Sequence, residues 1–443
     1  LSEQDIKVLI DKKNLATHSC LVDYIRGNSH YDFAELSKIA ELANAQRKDN
    51  AAYYTRQDIC YTIVKSLPDA KNYTELNILE PSIGVGNFLP ALILKYAGVQ
   101  SVNIDVVDID ANSLEILKEL VAKIDVPNNI HINYINADFL LHNFDKKYDI
   151  VVGNPPYKKL TKEKQLLAKY KIGASNKDTN NIFSFFIEKA MRIGNVVSLI
   201  VPKSLINAPE FDATRTLMKE KNISRIIDFG EKGFKGVKIE TICFILDTQK
   251  KPQNTFVESY ITDEVKCHQQ AYLTDDRFPY WIIYRNEAFD EVADKMEFNV
   301  FKAYRDRVIT KAITKDNGKI RVLKSRNIGN NEIVNIPDYD CYIDSIEGLD
   351  VAKYLNQANC VLLPNLTYNP RACFLPKGCI ADGSVAILTL AKDDDIVTNE
   401  DLAFYATDSF TKFYAIARNL GTRSLNIDNN SVFFFGKLKQ QRI

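Results

Sequence analysis

The stretch YDIVVGNPPYKKL, Tyr148 to Leu160, joins a run of apolar, largely β-branched residues to an Asn, two prolines and a Tyr. A continuous apolar run of this kind suits a central strand of a parallel sheet, covered on both faces. The two prolines end the ladder because neither offers an N–H, and Pro155 biases Asn154 toward an extended backbone. The Asn154 amide oxygen and the Pro155 carbonyl are then available as acceptors that can converge on one amino group, and the ring of Tyr157 can stack on a planar base. The competing reading is a Pro-stiffened turn, at Pro155 and Pro156, with a surface tyrosine.

Working outward, residues 51–247 alternate short β-rich runs with helical stretches. The runs are NILEP, VNIDVVDID, HINYINADF, YDIVVGNPP, VVSLIVP, SRIIDFG and ETICFILD, with NSLEILKELVAKI and NIFSFFIEKAMRIG among the helical candidates. Alternation of this kind predicts right-handed β-α-β units and a mostly parallel, doubly wound α/β sheet. Ligands bind such sheets beyond the carboxyl ends of the strands, so the residues after each run are the candidates. The first run ends in Glu80, followed by Gly84 and Gly86, a turn whose backbone can approach a ligand closely. The second ends in Asp108, at the spacing where an acidic side chain accepts from ribose hydroxyls, while Asp110 suits a helix cap. The third ends in Asp138 and Phe139, which suit an adenine amine and its ring face or, equally, a turn and the core.

The order of these motifs resembles the S-adenosylmethionine-dependent amino-methyltransferases, specifically the gamma-class DNA adenine-N6 methyltransferases of bacterial restriction-modification systems. The likeness covers about two hundred residues, from AAYYTRQDICYTIVKSL through ETICFILD. It implies a Rossmann-like catalytic domain in which Tyr54, Thr55, Glu80, Ser82, Gly84 and Gly86 hold the methionine part of S-adenosyl-L-methionine. Asp108 would hold its ribose, and Ile109, Asp138 and Phe139 its adenine. Asn154, Pro155, Pro156 and Tyr157 would form the target-amine site, with Phe234 as a second stacking ring and Lys238 beside it on DNA. The family's Y-T-P segment is Tyr54-Thr55-Arg56 here, a departure that bears on the shape of that loop.

The 443 residues exceed what one core usually serves. We expect a helical N-terminal extension (1–50), the catalytic domain (51–250), and a mostly β or α+β target-recognition domain (251–443), with TQKKPQNT as the linker between the last two. Balanced charge, 57 Lys and Arg against 57 Asp and Glu, argues against a uniformly basic nucleic-acid binder. A local basic stretch exists, however: residues 302–326 carry nine Lys or Arg and two Asp. Within it Arg321, Lys324 and Arg326 are candidate DNA contacts or, equally, a solvated charged face. Eight scattered cysteines without a C-x-x-C pair predict reduced thiols and no metal site. No apolar run approaches the roughly 18 to 20 residues that span a bilayer, which predicts a cytoplasmic protein.

The N-P-P-Y motif also occurs in enzymes that methylate RNA bases or protein glutamines, so an RNA or protein-glutamine methyltransferase and a non-catalytic DNA-binding subunit stay open. The large C-terminal part favours double-stranded DNA as partner. A cognate restriction endonuclease is a candidate partner too, with methylation and no cleavage expected of this chain.

Overall fold

The computed structural model describes residues 1–44, 55–232, 239–366, 368–392, 396–422 and 426–439. Tyr54, Phe234 and Lys238 lie outside the described residues. The chain divides into two compact units, Leu1–Ala271 and Tyr272–Ile443.

The first unit opens with three helices, α1 (Glu3–Lys13), α2 (His18–Gly27) and α3 (Phe33–Ala43). Asp32 starts α3 by accepting the Glu35 N–H at 2.9 Å. Its apolar spacing turns Phe33, Leu36, Ile39 and Ala40 inward. These helices form no separate body. They share one apolar cluster with Ile116 and Leu120 of a helix farther along the chain.

That part of the chain begins with α4 (Gln57–Lys65), β1 (Glu75–Glu80), α5 (Leu89–Tyr96), β2 (Ser101–Asp108) and α6 (Ala111–Val121), the helix that carries Ile116 and Leu120. It continues through β3 (Ile130–Asn136), β4 (Tyr148–Gly153), α7 (Lys164–Lys171), α8 (Ile182–Ile193) and β5 (Gly194–Pro202). It ends with α9 (Asp212–Lys219), β6 (Asn222–Gly230), β7 (Thr241–Asp247), β8 (Asn254–Ser259) and β9 (Glu264–Gln269). All seven β-rich runs of the sequence are strands. The nine strands make one sheet in the order β3-β2-β1-β4-β5-β7-β6-β8-β9.

Strands β3, β2, β1, β4 and β5 are mutually parallel, with β4 between β1 and β5. The expectation of a mostly parallel sheet holds, with five of its eight strand pairings parallel, β6–β8 among them, but the far side departs from it. Strand β7 lies antiparallel between β5 and β6, and β8 and β9 form an antiparallel hairpin at the edge. The sheet is therefore mixed.

The first unit also runs past residue 250, where a boundary was expected. TQKKPQNT is a tight connection from β7 to β8, not a domain linker. Asn222 fastens it, its N–H donating to the Lys250 carbonyl (3.1 Å) and its Oδ1 accepting the Gln253 N–H (3.1 Å). Gln270 then pins the end of the hairpin by accepting the Ile223 N–H at 2.7 Å.

The second unit is α+β. A four-stranded sheet is built from Phe301–Tyr304, Val385–Leu390, Val361–Pro364 and Cys373–Phe374, and a three-stranded sheet from Cys341–Ile343, Ile320–Leu323 and Cys379–Ala381. An aromatic core that includes Phe289, Phe410, Phe413, Phe434 and Phe435 joins the larger sheet to the helices Glu287–Lys295 and Asp408–Ala417. All eight cysteines are free thiols. Among the described residues no helix is long and apolar enough to cross a membrane, and no cluster of three or more His, Cys, Asp or Glu could hold a metal ion.

Candidate functional site

Strands β1, β2, β3 and β4 all point their carboxyl ends at one cavity of about 300 Å³. Glu80, Ser82 and Gly84 after β1, Asp108 and Ile109 at the end of β2, Asp138 and Phe139 after β3, and Asn154 and Pro156 after β4 all line it. Thr55, just before α4, lines it too. Residues up to about one hundred positions apart in sequence are thereby brought to one wall-to-wall site, which is what the crossover topology dictates.

Two glycines ease the approach of these strand ends. A Cβ on Gly153 would lie 3.2 Å from Pro81 Cδ and 3.5 Å from Glu80 Cγ, so with a side chain there the end of β1 would have to give by a few tenths of an ångström. Gly86 has φ +79°, and a Cβ on it would lie 2.5 Å from the Leu117 side chain of α6. The positive φ at Gly86 favours glycine.

Asp108 ties the loop to its neighbour. One carboxylate oxygen accepts the Gly84 N–H at 3.0 Å and the other the Asp110 N–H at 2.9 Å. Burial raises its pKa, partly offset by these N–H donors. Asp110 caps α6, accepting the Asn112 N–H (3.0 Å) and the Ser113 hydroxyl (2.9 Å).

Glu80 is 2% exposed, and its Oε2 is buried with no hydrogen-bond partner among the described residues. Burial, and secondarily the charge of Asp108, pushes its pKa well above the usual carboxylate range. A buried acceptor of this kind is costly unless a donor reaches it.

Asp138 is held from two sides. Its Oδ1 accepts the Leu140 N–H at 2.9 Å and its Oδ2 the Tyr170 hydroxyl at 2.7 Å. Phe139 is nearly fully buried and packs on Phe186, with centroids 4.8 Å apart. Lys189 lies 5.1 Å from the centre of the Phe139 ring and donates to the carbonyls of Leu140 and His142; burial pushes its pKa down to about 8. Ile109, by contrast, is 67% exposed.

At the end of β4 the Asn154 side-chain NH2 donates to Thr55 Oγ1 at 3.0 Å, and the Asn154 carbonyl accepts the Ser82 hydroxyl at 3.0 Å. Thr55 thus ties one end of the Asn154 amide to the residue that precedes α4. Arg56, where the resembled family has proline, has φ −61° and ψ 143°, a backbone that proline itself adopts. Proline would fit the backbone at this position.

Tyr157 follows the prolines but is turned inward. Its hydroxyl donates to the Ile200 carbonyl at 3.1 Å and its ring meets Phe183 edge-on at 6.2 Å. It is not among the residues lining the cavity.

Sequence reasoning missed several lining residues: Glu41 and Asn44 at the end of α3, Asn87 in the glycine loop, Lys158 after the prolines, and Leu166 and Tyr170 on α7. The i, i+4 spacing of the last two on α7 was the one available signal.

In the second unit the three basic candidates differ. Arg321 donates to Asp340 (2.7 Å) and Asn335 (2.6 Å), the geometry of an internal tie and not of a side chain held out to a ligand. Its partners lie 14 and 19 residues along the chain, which made the tie invisible in the sequence. Lys324 and Arg326 both sit on the ring of Tyr339, 3.9 Å and 4.7 Å from its centre, and Arg326 is exposed.

Comparison with known proteins bears on the first unit most directly. Residues 31–234 match the family model of the Eco57I restriction-modification methylase. Among curated proteins, the type II methyltransferase M.VspI of Vibrio sp. (strain 343) is 31% identical over 224 residues, 48% of this chain and 52% of that protein. The type II methyltransferase M.AccI of Acinetobacter calcoaceticus is 25% identical over 202 residues, 42% of this chain and 35% of that protein. The aligned part is thus about half or less of the curated relatives' length. Among solved structures, the type IIG restriction endonuclease BpuSI shares the fold at a TM-score of 0.50 and 14% identity, covering 93% of this chain and 61% of that one.

Proposed function

We propose, from the Eco57I-methylase match of residues 31–234 and the strand-end site within them, that the chain is a site-specific DNA methyltransferase. It transfers the methyl group of S-adenosyl-L-methionine to the N6 amino group of an adenine flipped out of duplex DNA. The observation that carries the reading is the Asn154 amide, held by Thr55 at the mouth of a cavity whose other walls suit the cofactor.

The cavity fits that cofactor on its own chemistry. The buried, unpartnered Oε2 of Glu80 suits an ammonium donor, and the loop at Gly84, where nothing lies within 4 Å of a Cβ position, leaves room for backbone approach. In this reading Asp108 takes the ribose hydroxyls, Asp138 an exocyclic amine, and Phe139 and Ile109 the two sides of a purine, supported by their shared lining of the cavity. When bound, S-adenosyl-L-methionine supplies an electrophilic methyl group on a sulfonium.

The chain's own part is to make the target amine nucleophilic. An aromatic amine is unreactive while its lone pair is shared with the ring. The Asn154 Oδ1 and the Pro155 carbonyl accept its two hydrogens, favouring a geometry in which the lone pair is free to attack, and positioning of this kind needs no strong base. Tyr157, anchored through its hydroxyl to Ile200 and turned away from the cavity, would have to swing outward to stack on the base. Extrusion of the base calls for such a pocket and for a separate reader of the duplex, a role that fits the second unit, with Lys324 and Arg326 among its phosphate or base contacts. Double-stranded DNA is the partner, in the cytoplasm, alongside a cognate restriction endonuclease.

The test is transfer from methyl-labelled S-adenosyl-L-methionine to duplex DNA, RNA or a release-factor protein. We expect label in duplex DNA alone, recovered as N6-methyladenine, and its loss in Asn154→Ala with cofactor binding kept. Label recovered as N4-methylcytosine, or confined to RNA or protein, would overturn the reading.

A further inference from the structure

Helix α7 has no fully buried residue, an unusual condition for a helix of a packed unit. Two of its side chains, Leu166 and Tyr170, lie one turn apart and line the cavity. The helix is fastened at both ends instead. Before it, Lys158 pairs with Glu163 at 3.1 Å. After it, Asn176 is fully buried, donating to the Glu210 carbonyl (2.8 Å) and Thr214 Oγ1 (2.9 Å), while Glu188 accepts the N–H groups of Ser175 (2.7 Å) and Asn176 (2.9 Å). Arg192 adds a bond to the Gly173 carbonyl at 3.1 Å. A helix held this firmly at its ends, with little of itself buried, serves to deliver something to the cavity. What it delivers is the Tyr170 hydroxyl, 2.7 Å from Asp138 Oδ2.

Carboxylate oxygens each have room for two hydrogen bonds. The Leu140 N–H on one oxygen leaves the carboxylate plane able to swing, and the Tyr170 hydroxyl on the other stops it. The two donors together leave lone pairs in fixed directions. We propose that Tyr170 is a positioning residue for cofactor selection: its hydroxyl sets the plane of the Asp138 carboxylate so that a remaining lone pair accepts from the exocyclic amine of the cofactor's adenine. This inference rests on the reading that the cavity takes S-adenosyl-L-methionine. Its consequence is selectivity for a 6-amino purine over one lacking that amine, set jointly by a β3 loop residue and by a helix that follows the N-P-P-Y loop.

The experiment measures equilibrium binding of S-adenosyl-L-methionine and of its analogue with hydrogen in place of the 6-amino group, to the full chain and to Tyr170→Phe. The phenylalanine keeps the ring and its packing near Phe185. We expect affinity for S-adenosyl-L-methionine to fall about tenfold in Tyr170→Phe, a difference of about 1.4 kcal/mol, while affinity for the analogue changes less than about twofold. In an Asp138→Ala background, Tyr170→Phe should have no further effect on either ligand. Equal weakening of both ligands would mean that Tyr170 only closes the cavity, and no change in either would mean that it does nothing for binding; each result overturns the inference. Failure of the unsubstituted protein to bind S-adenosyl-L-methionine at all would overturn the assignment of the cavity, and this inference with it.

Discussion

Glu80→Gln separates stability from binding at one atom. In the ligand-free protein the Glu80 carboxyl is buried and its pKa is raised, so folding favours its protonated form. A raised group contributes stability that is fully present below its unfolded pKa and is lost as pH rises through the folded value, at about 1.4 kcal/mol for each pH unit between the two. Glutamine is neutral throughout, so Glu80→Gln should be more stable than the parent without cofactor, by a margin that grows from about pH 4 upward.

Binding should change in the opposite direction. A ligand ammonium meeting Oε2 forms a charge-assisted hydrogen bond worth about 1.5 to 3 kcal/mol, so its loss weakens S-adenosyl-L-methionine by about tenfold to 150-fold. Because the bound cation favours the ionised carboxylate, binding to the parent releases a proton. Its Kd should then tighten as pH rises, by up to about tenfold per pH unit for as long as the unliganded carboxyl stays protonated and the ligand's α-amino group stays charged. In Glu80→Gln this dependence should be gone. Calorimetry in two buffers of different ionisation enthalpy counts the protons directly. Equal proton release by both proteins, or an unchanged Kd, would refute the assignment of Oε2 to the ammonium.

Two other substitutions test the frame of the site. Gly86→Ala places a Cβ against the fully buried Leu117 and holds alanine at positive φ, costing about 2 to 5 kcal/mol from overpacking and left-handed strain together; denaturant unfolding should show it, and a loss below about 0.5 kcal/mol would mean that the loop re-forms. Arg56→Pro matches the backbone already present and forfeits only an exposed pair with Asp58, so the melting temperature should stay level or rise, with a gain of up to about 1 kcal/mol. A marked fall would mean that Arg56 itself holds Thr55 against Asn154.

What was legible in the sequence was what is local. Seven strands could be read because each is a short apolar run closed by a turn residue, and their tips, from Glu80 to Asn154, followed from the rule for parallel sheets. Strand order beyond β5 was not legible, since ETICFILD reads alike whether laid parallel or antiparallel. The hairpin β8–β9 was hidden by Pro252, which looks like a linker until Asn222 and Gln270 are seen to pin the backbone on either side. Tyr170 and Glu41 reach the cavity from helices whose own patterns carry no mark of a ligand. The tie from Arg321 to Asp340 was equally silent, because a basic side chain shows its partner only in three dimensions.

The antiparallel insertion of β7 also governs when the sheet can close. Strands β5 and β6 never touch; each finds its partner in a strand that is synthesised after both. Until residue 247 has been made, β5 presents a long, apolar, unpaired edge, and the segment that matches the methylase family stops at 234, before β7 begins. A chain cut at residue 234 would leave β5 and β6 without the strand that joins them. Such a truncated protein should aggregate, while one carried to residue 271 encloses every strand of its sheet.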